Sequence, residues 1–355
     1  MMEPNWLFVT ITLALSLLLW MMPTLSRSDI FFGVTVPPSF RDSPEGRHIL
    51  GRYRQLMTAS AVLTLLAHFN DFLSSSLPVV ILALVSTLGW AWGNHMTRPH
   101  SASVSPERRA TLDGARREPQ ISLQARIGPY LILSAATIYL YFYYDLLPDS
   151  LPVHWSGPEP DRFTPKNWLA VFRPLIMATA ISLLMEFTKA TLASPNFTRR
   201  LIAPLEDDRE SRFFQMNLRL LLATQYLMAL VFSWVAIFMR GPHAPQLMPS
   251  GWGFYGVLIL ALSLLPVSIY ISMRYGQGGS RLPASSHSLT GAPLGDRTPD
   301  DCWKLGQFYF NPNDAAVWVE KRAGIGYTLN FARPLSWLWL FGIIAGPLIL
   351  VRILR

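Results

Sequence analysis

Long apolar runs separated by shorter polar segments dominate this chain, and their lengths predict helices. Eight runs stand out: Trp6 to Thr24, Leu56 to Leu77, Pro78 to Asn94, Ile127 to Leu146, Trp168 to Thr188, Leu218 to Met239, Trp252 to Met273 and Leu335 to Leu350. Each is near the roughly 20 residues that carry a helix across a hydrocarbon core of about 30 Å. Backbone groups in lipid must be satisfied within the segment, and the short alternating strands of a barrel are missing, so the runs read as helices. Between the second and third, SSSLP at Ser74 to Pro78 is the sole break, which leaves a tight helical hairpin or one kinked re-entrant element.

A different pattern precedes the last run. In CWKLGQFYFNPNDAAVWVEKRAGIGYTLNFARP, Cys302 to Pro334, aromatic and β-branched residues alternate with the turn formers NPND and AGIG, predicting a three-stranded meander. Thr97 to Gln120 and Gly276 to Pro299 are rich in Ser, Pro, Gly and charge and read as tethers. The expected fold is therefore an all-α polytopic membrane protein of about eight transmembrane helices with a small cytoplasmic β-meander before the last one. Its expected divisions are a bundle at 1–275, a linker at 276–301, the β module at 302–334 and a final helix at 335–355.

Composition supports this picture: 51% of residues are hydrophobic and 15% charged, well under the roughly 25% charge of soluble domains. The net charge of +8 would fit nucleic acid, but its distribution does not. Most Lys and Arg residues fall in alternate loops, after the first, third, fifth and seventh runs. The positive-inside rule then places those loops in the cytoplasm and both termini outside. The charge is topogenic, and no direct nucleic-acid contact is expected. The first run lacks a basic leader and is longer than a signal-peptide core, so it reads as an uncleaved span in the inner membrane. The single cysteine, Cys302, permits no intrachain disulfide.

Candidate chemistry is sparse. The external stretch LPDSLPVHWSGPEPDRFTPK, Leu147 to Lys166, holds His154 with Asp149, Glu159 and Asp161, donor types that suit zinc or manganese. One histidine among scattered acids favours instead a proline-stiffened loop, with Trp155 and Phe163 docked on helix ends and Asp161 paired with Lys166. Within the runs, His68 and Asp71 are three residues apart on one helical face, as are Glu186 and Lys189. An ionisable residue at membrane depth is a functional-site hypothesis, so the first pair is a candidate proton or ion site. The second reads as a snorkelling pair. No phosphate loop, HExxH helix or GxSxG elbow occurs. No catalytic residue, metal or cofactor is assigned.

Two segments carry resemblances. Leu151, Pro152, Val153, His154, Trp155, Pro160, Asp161 and Lys166, set between two spans, resemble the bacterial membrane family known as domain of unknown function 1648. The turn departs from the family pattern, SGPE standing where a longer Gly-containing segment is usual. Trp303, Lys304, Gly306, Tyr309, Asn311, Pro312, Asp314, Val319, Lys321, Arg322, Gly324, Gly326, Thr328 and Asn330 resemble domain of unknown function 5808. One branch sharing the first domain, the SdpI-type immunity proteins, protects against a toxin and holds a repressor at the membrane.

The rigid external loop, the compact cytoplasmic module and the two tethers point to a non-enzymatic inner-membrane sensor or immunity-like protein. Its external loop would contact an envelope peptide or toxin through His154, Trp155, Asp161 and Lys166. Its cytoplasmic module would engage a regulator through Trp303, Lys304, Tyr309, Asn311, Asp314, Lys321, Arg322 and Asn330. The rival expectation is a transporter or membrane enzyme built on His68, Asp71, Glu186 and Lys189.

Overall fold

The computed structural model describes residues 6–70, 76–102, 121–155, 159–194, 197–198, 209–241, 252–283, 295–296 and 298–353. They form two compact units: one from residues within 1–117, 194–214 and 268–336, the other from residues within 118–193, 215–267 and 337–355.

In the first unit, α1 (Trp6–Leu25), α2 (Pro44–Asn70) and α3 (Leu77–Thr97) run antiparallel in sequence. Thr12 of α1 meets His68 near the end of α2, and Leu19 meets Tyr53 near its middle. Gly89 of α3 faces Leu56 and Met57, so α2 and α3 form a helical hairpin. The loop after α1 is not a passive connection. Strands β1 (Ile30–Phe31) and β2 (Val34–Thr35) pair antiparallel across Phe32 and Gly33, both at positive φ, as a two-residue hairpin turn requires. The turn drives Phe32 into the core between Tyr53 and Trp90, with ring centroids 5.1 and 5.0 Å away.

Gly33 then touches Gly306: a Cβ on either would fall on the other turn's backbone, so the module of residues 302–333 seats directly on this hairpin. That module differs from the expected three-stranded meander. Strand β5 (Trp303–Lys304) pairs with β6 (Phe308–Tyr309), and β7 (Trp318–Glu320) with β8 (Tyr327–Leu329), giving two short hairpins joined by a bridge from Tyr309 to Asn330. The extra turn arises at Leu305 and Gly306, both in the left-handed region. Backbone bonds from Val317 and Trp318 to the Phe197 carbonyl tie the module to the segment before α6. The described ends of the second tether also belong to this unit, through Gln277, Asp296 and Thr298, all buried; its middle lies outside the described residues.

The second unit contains α4 (Leu123–Phe142), strands β3 (Ser150–Trp155) and β4 (Pro160–Pro165), α5 (Trp168–Ala193), most of α6 (Arg209–Trp234, extended by a π turn at Val235–Met239), α7 (Trp252–Leu262), and parts of α8 (Leu264–Tyr275) and α9 (Pro334–Ile353). Its core alternates leucines with Ala136, Ala170, Ala178, Ala229 and Ala236; small residues let helix backbones approach closely where lipid supplies no hydrophobic drive. Leu131, Leu183 and Ile259 point outward and are exposed.

Among the described residues, five helical segments are long and apolar enough to cross a membrane: Phe8–Leu25, Leu77–His100, Trp168–Ala193, Arg209–Met239 and Gly253–Gly279. Fewer qualify than the eight expected. The run at Leu56 belongs to α2, which starts at Pro44 and spends its first turns on Glu45, Arg47, Arg52 and Arg54. In the last run, the apolar segment among the described residues is Pro334–Gly346, the first part of a 20-residue helix, Pro334–Ile353.

Among the described residues, α1, α4 and α5 each carry an internal proline, and all three solve the same problem. Proline has no N–H, so the carbonyl four residues earlier loses its helical donor. Pro23 orphans the carbonyl of Leu19, and the Tyr53 hydroxyl donates to it at 3.0 Å. Pro129 orphans that of Ala125, and the Tyr226 hydroxyl donates to it at 2.9 Å. Pro174 orphans that of Ala170, and the Arg240 guanidinium donates to it at 2.7 Å. Gly128 makes the second case feasible, since a Cβ there would lie 1.8 Å from the Tyr226 hydroxyl. Each proline thereby becomes a cross-link between helices instead of a break.

Candidate functional site

The module's polar residues converge inward. Arg322 is fully buried and sits over the Trp303 ring, 5.2 Å from its centroid. Its Nε and Nη2 donate to the two oxygens of Asp296 at 3.0 and 2.7 Å, and Nη1 donates to Asp300 at 2.5 Å and to the Gly33 carbonyl at 2.8 Å. Asp300 in turn accepts from the Thr35 hydroxyl at 2.8 Å and the Ser101 hydroxyl at 2.7 Å. Burial works against both charges, but Asp296 and Asp300 hold the guanidinium above its usual value, and Arg322 with Thr298 holds the Asp296 carboxyl below the usual range.

Asn330 organises the other half. Its Nδ2 donates to the carbonyls of Asn311, Asp314 and Ala316, while its Oδ1 accepts from the Asn311 and Ala332 amides. Tyr309 donates to Asp314 at 2.9 Å and accepts from the Asn311 amide nitrogen. Of the residues expected to meet a partner, Trp303, Tyr309, Arg322 and Asn330 are buried, and Lys304 and Lys321 are exposed. The exposed apolar side chains of the first module hairpin are Leu305, Phe308 and Phe310.

Beside this hub lies a second charged group. Arg27 donates to Asp29 at 3.0 and 2.9 Å, and Asp29 also accepts from the Gly295 amide at 2.7 Å. Glu320, partly buried, approaches Gln277 at 3.5 Å. Burial pushes its carboxyl up to about 7 against the pull of Arg27, with the charge of Asp296 adding to the rise. Arg41 ties down the loop after α1, donating to the carbonyls of Ser26, Arg27 and Ile30, and Arg281 caps helix ends, donating to those of Thr24, Ser272 and Met273. Basic residues read as topogenic thus also satisfy the carbonyls at helix C-termini.

The hairpin β3–β4 of the second unit behaves in the opposite way. Leu147 and Leu151 anchor it in the core. Lys166 ties its base, donating to the Leu147 carbonyl at 2.9 Å with Asp149 at 3.6 Å. The register slips at His154, which pairs with Arg162, and at Trp155, which pairs with Pro160. There His154 Nδ1 meets Asp161 Oδ1 at 2.6 Å, the two side chains 48% and 40% exposed. Asp161 therefore pairs with His154 and not with Lys166, as expected from the sequence. Phe163 is not docked either but exposed, and Trp155 is half-buried. The helix end beneath is aromatic: Tyr144 stacks on Trp168 at 4.2 Å, and Trp168 on Phe172 at 5.6 Å. Among the described residues no three His, Cys, Asp or Glu side chains gather as metal ligands.

The polar residues within the helices fall into separate settings. His68, buried in the first unit, bonds Thr12 at 3.0 Å and leans on Phe8; Asp71 lies outside the described residues. In the second unit Glu186 accepts from Lys189 at 2.7 Å and from Arg126 at 3.0 Å. Lys189 does not snorkel: it is 6% exposed and donates inward to Gln225 at 2.8 Å. Gln225 donates onward to Tyr130 and to the Ser182 carbonyl.

Two segments of this chain match described families. Residues 131–178, covering the hairpin and the adjoining parts of its flanking helices, match a domain of unknown function (DUF1648), and residues 312–337 match a family of unknown function (DUF5808). Both are the families expected from the motifs. No curated protein and no solved structure matches the chain. The DUF5808 match includes Arg322 and Asn330, the two residues on which the module's bonding turns.

Several members of these networks had no advance sign in the sequence. Asp296 and Thr298 sit in a stretch that reads as a tether, and Gln277 beside glycines that read as a linker. Arg240, Tyr53 and Tyr226 had a usable signal: each helix-internal proline demands a donor for the carbonyl four residues earlier.

Proposed function

We propose that this protein is a multi-pass inner-membrane sensor or immunity-like protein of bacteria, without catalytic activity. Both termini and the β3–β4 hairpin lie outside, the basic loops and the module lie in the cytoplasm, and eight helices cross the bilayer. The observation that carries the reading is the exposed His154–Asp161 pair at a slipped register on a hairpin whose base is locked into the helical core. A side-chain pair held at a fixed position on a rigid support suits contact with an envelope peptide or toxin, with Trp155 as an apolar neighbour. Inside, Lys304, Leu305, Phe308 and Phe310 offer an apolar and basic face to a cytoplasmic regulator, on a module kept rigid by Arg322 and Asn330. Trp303, Tyr309, Arg322 and Asn330 support that face from beneath.

A photocrosslinker placed at His154 or Phe163 in the intact protein tests the external half, and one at Phe308 tests the internal half. Specific adducts with an envelope peptide and with a cytoplasmic protein are expected. Adducts with lipid alone at all three positions contradict the reading. A transporter or enzyme finds less support, because His68 and Glu186 each already have their polar partners within their own unit.

A further inference from the structure

Three helix-internal prolines orphan a carbonyl, and in two cases a neutral tyrosine hydroxyl fills it. Arg240 does the same work for Ala170 with a charged group. The charge is not needed for that bond. It is also poorly accommodated: Arg240 is 5% exposed, and its Nε is buried without a hydrogen-bond partner among the described residues. The residue whose charge acts on it is another arginine, Arg173, one helical turn beyond Ala170 on α5. Both lie near the start of α5, where the first amide groups of the helix add positive potential. Buried guanidinium groups are normally matched by an acid; no described carboxylate is paired with either of these.

We infer that Arg240 and Arg173 form a binding site for a phosphate monoanion or diester at the hairpin end of the second unit. Ala170 fixes one Nη of Arg240 and so orients the rest of the fork, while Arg173 adds a second cation from the same helical face. Planar guanidinium donors suit phosphate oxygens by charge and by geometry. The position, at the end of apolar helices and beside the Tyr144–Trp168–Phe172 stack, matches the depth of lipid headgroups, where aromatic side chains gather. The inference does not depend on which face of the membrane the hairpin occupies.

The test uses the full-length protein in a nonionic detergent, with short-chain phosphatidylglycerol and inorganic phosphate as separate probes. Thermal unfolding and direct titration are followed for the wild type, Arg173→Gln and Arg240→Gln. Wild type is expected to gain several degrees with the probe it recognises. Arg173→Gln, at a half-buried position, is expected to keep its fold and to weaken binding about tenfold, the loss of one charged contact. Stabilisation by the lipid alone assigns the site to a headgroup, and equal stabilisation by inorganic phosphate assigns it to a free anion. If neither probe stabilises the wild type, or if Arg173→Gln binds as tightly as wild type, the site does not exist. Should Arg240→Gln fail to fold, Arg173→Gln still decides.

Discussion

The module at 302–333 and the hairpin at 150–165 are both short β elements attached to helices, yet they use their polar residues in opposite ways. In the module, Arg322, Asn330 and Tyr309 turn inward, Arg322 onto Asp296, Asn330 onto the Ala316 carbonyl and Tyr309 onto Asp314. In the hairpin the interior is held by Leu147 and Leu151, and His154 and Asp161 remain at the surface. The module's apolar core is small, confined to Trp303, Tyr309, Ala316 and Val319, and a charged hub supplements it. The hairpin inherits the core of the helices beneath it, so its His154–Asp161 pair stays at the surface instead of building an interior.

Breaking the hub is expected to have the largest effect. Arg322→Met leaves the buried Asp296 and the half-buried Asp300 without their cation and should cost about 3–5 kcal/mol, read as a lowered unfolding midpoint of the Trp303 environment. Asn330→Ala should cost about 2–3 kcal/mol, because several backbone carbonyls and amides lose their partner together. Tyr226→Phe should cost about 1–2 kcal/mol by orphaning the Ala125 carbonyl, and faster amide exchange around Pro129 would be its signature in hydrogen exchange. An unchanged exchange pattern there would remove the proline cross-link from the account.

Glu320→Gln sharpens the comparison through pH. The carboxyl is raised in the folded state, so the folded protein holds that proton more tightly than the unfolded chain. The contribution is fully present below the ordinary carboxylate range and is lost as pH rises through about 7. The variant should therefore gain stability relative to wild type as pH goes from 5 to 8, with little difference at 5. A constant difference across that range would contradict the assignment. His154→Ala is the smallest: an exposed pair is worth about 0.2–1 kcal/mol, so stability should scarcely move while crosslinking to any external ligand falls.

The helices were legible because hydrophobic length is a local property, and Trp6, Trp168 and Trp252 begin helices where the apolar runs begin. The two family segments were legible because their prolines, glycines and aromatics fall at fixed spacing. The hub was not. Arg322 takes its partners from Asp296, Asp300 and Gly33, the last 289 positions away, and a short-range pattern carries no record of such pairings. A run of Ser, Gly and Pro also reads the same whether its ends are free or folded, which is why Gln277 and Asp296 passed as tether. At the hairpin the charges were legible but their pairing was not, because the register slip that brings His154 to Asp161 is a property of the two strands together.

The most direct test of the contrast between fold-bearing and surface polar residues is a side-by-side thermal unfolding of full-length Arg322→Met and of the double variant His154→Ala/Asp161→Ala. The first should lose about 6–20 °C and the second no more than about 4 °C, from the energies above at roughly 2–4 °C per kcal/mol. Equal losses, or a larger loss in the hairpin variant, would contradict the account.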